Sequence, residues 1–235
     1  MMTKDGIGEW YDANLRPIFA NVVDTLAVSD ADVVILHPIV HSFIKNTVAL
    51  LESLKGHLRS YPVAQGMRLL MEFEADLDFL IRNPKNIPRA MKKVEKHRKD
   101  FVDKKKTWKE TIIDSGNMHF LDDITGEEIK TVPRVERCFN KKAYAFYCAY
   151  SHFNLYAICD DDENVITLKD IRKACRQKAE LIEFYPVILD KFIDSLNVAL
   201  GEENKITYDA DEFKKKFEML LIAIANARIK EPENV

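Results

Sequence analysis

Residues 144–158 read Tyr144-Ala-Phe-Tyr-Cys-Ala-Tyr-Ser-His-Phe-Asn-Leu-Tyr-Ala-Ile158. The stretch is expected to form a buried helix, yet it carries Ser151, His152 and Asn154 in its middle. Buried polar groups need hydrogen-bond partners, and each one left unpaired costs about 1–3 kcal/mol. Other residues must therefore meet them. The run Gln65-Gly-Met-Arg-Leu-Leu-Met-Glu-Phe-Glu-Ala-Asp76 offers Arg68, Glu72 and Asp76 in steps of four, which is one face of a helix. Together the two stretches predict a polar cluster inside a helical bundle.

Composition agrees with an all-α fold. The chain has 235 residues, is 47% hydrophobic, and holds only 7 glycines and 8 prolines, too few for a fold built on tight turns. One domain spanning 1–235 is expected. A net charge of −3 excludes a cationic nucleic-acid coat, so any such contact needs a local patch. Cys138, Cys148, Cys159 and Cys175 form no C-x-x-C pair, which argues against a zinc site and for a reducing, cytoplasmic setting. The N-terminus has no apolar core of the kind a signal peptide carries, and no uncharged apolar run reaches the ~18 residues of a membrane span.

Apolar spacing near 3.6 predicts about seven helices in an irregular bundle with one long inserted loop. The first spans Ile7 to Ala27, with Pro17 as a kink. The second runs from Val33 to Leu58. The third starts at Tyr61-Pro62 and reaches Arg82, where Asn83-Pro84 ends it. A charged helix follows from Pro88 to Ile113. The inserted loop covers about 114–133, with room for a hairpin around Thr125-Gly126. Later helices are expected over Val135–Cys159, Thr167–Leu200 with a kink at Pro186, and Ala210–Lys230.

The motif Arg68-Leu-Leu-Met-Glu72, followed later by Ser151-His-Phe-Asn154, resembles an all-helical bacterial family in which an R-x-L-x-E helix precedes an S-H-x-N helix. The likeness covers roughly Leu50 to Ile158. That family is in turn similar to HEPN-type helical proteins, many of them RNases of toxin and phage-defence systems. The resemblance implies a role on RNA in a defence or stress setting, with Arg68, Glu72 and His152 as the catalytic candidates. Asp76, Ser151 and Asn154 would be their polar neighbours. The chain departs from the HEPN nuclease pattern, which places an Arg four to six residues before the His. Phe146 to Ser151 contains none. A guanidinium, a carboxylate and an imidazole that converge can position a phosphate and move a proton; the same three residues can also simply pin helix register.

Arg89 to Lys109 holds ten cations against three acids, a local balance of +7. Lys96, Arg98, Lys99, Lys104, Lys105 and Lys106 are the candidate phosphate contacts, and Trp108 the candidate stacking platform. A solvated helix face is the plainer reading. His37 and His41 have metal-ligand spacing, but Lys45 follows and no third ligand is in register, so no metal and no cofactor are expected. No Walker A motif, nucleophile elbow or Rossmann glycine pattern occurs. The expected partners are RNA and a second copy of the chain, with no membrane. The alternatives are a non-catalytic interaction module forming a homodimer, or a small-molecule or nucleotide-binding protein.

Overall fold

A computed structural model describes residues 6–30, 33, 36–55, 61–88, 92, 120–151 and 178–226. Its architecture is all-α, an irregular bundle with one small hairpin. Eight α-helices lie among the described residues: α1 Gly6–Asn14, α2 Arg16–Ala27, α3 His37–Lys55, α4 Tyr61–Arg82, α5 Thr131–Cys138, α6 Lys141–Ser151, α7 Tyr185–Leu200 and α8 Ala210–Ala225.

Helix α4 is the axis of the bundle, with α3, α5, α6 and α7 packed around it. Its sequence explains this position. Val63, Ala64, Met67, Leu70, Met71, Ala75, Leu77, Phe79 and Leu80 are all buried and point several ways around the helix. Apolar residues on several faces of one helix call for neighbours on several sides. Gly66 lets α3 come close, since a Cβ there would sit 2.9 Å from Leu50 Cδ1. Phe43 of α3 stacks on Phe192 of α7 at 3.8 Å between ring centroids, which ties these two helices together. At the other end of the chain, Trp10 of α1 packs edge-on against Phe217 of α8 and tilted against Phe213. Asp209 caps α8 by accepting from the Glu212 N–H at 2.8 Å.

Several expected boundaries move. Pro17 and Pro186 do not kink long helices; each sits in the first turn of a new one, α2 and α7. The proline ring has no N–H to donate, and first-turn N–H groups have no intrahelical acceptor, so the position suits it. The helix expected from Val135 onward is two helices, α5 and α6, broken at Phe139-Asn140. Asn140 caps α6 through the Lys142 N–H at 2.8 Å. Helix α5 begins at Thr131, inside the expected loop. Helix α3 starts at His37, later than Val33, and α8 is described only to Ala225. The charged helix expected over Pro88–Ile113 lies outside the described residues apart from Pro88 and Lys92.

The hairpin forms where Thr125-Gly126 suggested. Strands β1 Phe120–Leu121 and β2 Glu128–Ile129 pair antiparallel, with Phe120 opposite Ile129. Asp122 closes the turn by accepting from the Ile124 and Thr125 N–H groups, and Gly126 takes the left-handed φ of 72° that the turn requires. Two buried asparagines beyond α4 hold the hairpin in place. Asn86 donates to the Leu121 carbonyl at 2.6 Å and accepts from its N–H at 2.9 Å. Asn83 accepts from the Asp123 N–H at 2.9 Å. Asn86→Ala is expected to cost about 1–3 kcal/mol, because it strands both backbone groups of Leu121. Hydrogen exchange at the Leu121 amide, with denaturant unfolding, measures this; unchanged protection there would refute it.

Candidate functional site

The polar residues of α4 fall on two stripes. The first is Arg68, Glu72 and Asp76, all partly buried. Arg68 Nε donates to Glu72 Oε1 at 2.8 Å. The Tyr144 hydroxyl of α6 donates to that same oxygen at 2.7 Å. Burial opposes the Arg68 charge, but Glu72 and Tyr144 outweigh it and hold the guanidinium above its ordinary pKa. Burial, reinforced by Glu72, pushes the Tyr144 phenol up, so it stays protonated and serves as a donor.

Asp76, one turn on, turns to a residue the sequence did not single out. Arg134 of α5 is only 1% exposed. It makes two bonds to Asp76 Oδ1, from Nη2 at 2.7 Å and from Nε at 2.8 Å. Its Nη1 donates to the Ile129 carbonyl at 2.5 Å and its Nη2 to Thr131 Oγ1 at 3.3 Å. The guanidinium lies 4.5 Å from the centroid of the Phe120 ring. Burial pushes the Asp76 carboxyl above its usual range, with Arg134 pulling the other way.

The second stripe was missed in the sequence. Glu74 is 1% exposed, on the α4 face shared with Met67, Leu70 and Met71. Its Oε1 accepts from the Ser195 hydroxyl of α7 at 2.9 Å, while Oε2 has no hydrogen-bond partner among the described residues. Burial, together with Asp78, lifts the carboxyl to about 7 against the pull of Ser195, Lys191 and Cys138. Cys138 Sγ donates to Asp78 Oδ2 at 3.7 Å, and Arg82 Nε donates to Asp78 Oδ1 at 2.8 Å. Burial, then the Glu74 and Asp78 charges, pushes the Cys138 thiol up and suppresses its thiolate. A carboxylate inside the 67, 70, 71, 74 apolar stripe was the available signal.

Of the predicted site residues, the structure brings Arg68 and Glu72 together and gives Asp76 to Arg134. His152 and Asn154 lie outside the described residues, as does the Ser151 side chain; Ser151 itself is the last residue of α6. Lys96, Arg98, Lys99, Lys104, Lys105, Lys106 and Trp108 also lie outside them. Helix α6 is buried on one side, with Tyr144 and Tyr147 inward and Ala145, Phe146 and Ala149 exposed, so the expectation of a buried helix holds for one face of its described part. Tyr147 ties the inner side down by donating to the Leu181 carbonyl at 2.7 Å. The His37 and His41 rings lie 4.6 Å apart on α3, tilted by 59° to each other. Among the described residues no three His, Cys, Asp or Glu side chains are placed to hold a metal ion, and no helix is long and apolar enough to cross a membrane.

The Arg68–Glu72–Tyr144 group joins α4 to α6, and the Asp76–Arg134 group joins α4 to α5 and the hairpin. On each of these two carboxylates a single oxygen takes both contacts: Glu72 Oε1 from Arg68 and Tyr144, Asp76 Oδ1 from the two nitrogens of Arg134. No protein family, no curated protein and no solved structure matches the chain.

Proposed function

We propose that this protein binds RNA through the basic run Arg89–Lys109, using the helical bundle as a rigid mount, in the HEPN-like defence or stress role that its sequence motifs resemble. One observation supports this reading above others: Arg89–Lys109 gathers ten cations against three acids in a chain whose net charge is −3. Binding fits better than cleavage, since no Arg precedes His152 at the nuclease spacing and Glu72 is engaged by Arg68 and Tyr144.

Changing Lys104, Lys105 and Lys106 together to Glu is expected to weaken single-stranded RNA binding at every sequence. It should also reduce the slope of log K against log[salt] by about 2, three phosphate contacts at ~0.7 each. Fluorescence anisotropy across a salt series measures both. An unchanged slope, or no binding by the parent at low salt, overturns the reading. A stable dimer without salt-dependent binding would favour an interaction module instead.

A further inference from the structure

We propose that Glu74 is a proton-operated latch between α4 and α7: neutral, it keeps the two helices closed on each other; ionised, it opens their crossing to water.

The geometry is that of a carboxyl placed where its charge has too few partners. Glu74 is sealed from solvent, with one oxygen bonded to Ser195 and the other unbonded among the described residues. A neutral carboxyl tolerates this site, because it carries no charge to desolvate. A carboxylate does not, since a buried charge needs several donors or a close counter-ion. The groups acting on it are known from each side. Asp78, on its own helix, repels the charge. From α7, Ser195 donates a hydrogen bond and Lys191 attracts. From the end of α5, the Cys138 thiol faces the carboxyl while giving its one S–H to Asp78. Lys191 offsets little of the desolvation, for its Nζ sits 5.8 Å from the centroid of the Phe139 ring rather than on the carboxyl. Arg82 pairs with Asp78 on its more exposed side.

The direction of the pH effect follows. The folded chain keeps a proton on Glu74 up to about 7, whereas the unfolded chain gives it up near the ordinary value of 4.5. The stability this proton contributes is fully present below the unfolded value and is lost as pH rises through the folded one. One proton changes the folding equilibrium by at most about tenfold per pH unit, so the window from 4.5 to about 7 is worth roughly three-hundredfold, of which about a hundredfold falls above pH 5. The pair α4 and α7 carries the loss, because the carboxyl and its hydroxyl partner lie at their crossing.

Denaturant unfolding and amide hydrogen exchange of the full chain at pH 5, 6, 7 and 8 test this. The fall in the folding equilibrium from pH 5 to 8 should be roughly a hundredfold steeper in the parent than in Glu74→Gln, which keeps the shape and cannot ionise. Exchange of the α7 amides, corrected for the intrinsic effect of pH, should rise over the same range in the parent alone. Two further variants keep the idea exposed should Glu74→Gln fail to fold. Asp78→Asn removes a like charge and should move the transition to lower pH. Ser195→Ala removes a hydrogen bond to the charged form and should move it to higher pH. Identical pH profiles in the parent and Glu74→Gln, or no opposite movement in the two neighbours, overturn the proposal.

Discussion

Replacing Arg134 by alanine is expected to destabilise the protein by about 3–5 kcal/mol, the cost of breaking a buried ion pair from one side. The change leaves Asp76 charged and partly buried without its two donors. It also strands the Ile129 carbonyl and removes the cation from the Phe120 ring. Urea unfolding monitored by circular dichroism measures the effect. Arg134→Met combined with Asp76→Leu should recover most of the loss, because an apolar pair of similar volume removes both charges together. A single-variant loss below about 1 kcal/mol would mean that water reaches Asp76 and that the pair is effectively a surface contact. The hairpin should respond more than the rest of the bundle, since Arg134 is what fastens β2 to α4.

The second large effect is expected at Phe192. Phe192→Ala should cost about 3–5 kcal/mol through lost burial and the cavity left behind. Both Phe192 and Phe43 are fully buried, and their rings are stacked nearly parallel, 4° apart. Phe192→Leu fills most of the space and should cost less than half as much. Equal losses for the two variants would show that ring stacking rather than volume holds α3 to α7.

The candidate site was half legible in the sequence. Arg68 and Glu72 could be paired from spacing alone, because residues four apart on a helix are neighbours wherever that helix sits. Asp76 shares the same spacing, but the ion pair it makes could not be read from it. Its partner Arg134 is 58 residues away and stands at the boundary between the expected loop and the expected helix. Glu74 was passed over although it interrupts an apolar stripe. Its meaning depends on Ser195, 121 residues away, and on how tightly α7 closes over it.

The sequence by itself determined the helical class, the ends of α4 at Tyr61 and Arg82, and the turn at Thr125-Gly126. These are local matters: hydrophobic period, proline and glycine chemistry, and capping act over a few residues and survive in any tertiary setting. Tertiary structure alone decided that α4 is the central helix and that Pro17 and Pro186 open helices rather than bend them. It alone decided that Asn83 and Asn86 clip the hairpin, that Arg134 neutralises Asp76, and that Glu74 is sealed against α7. Each of these rests on burial and on contacts between distant residues. Desolvation gives a charge its cost and a hydrogen bond its worth, and desolvation exists only once the helices have packed.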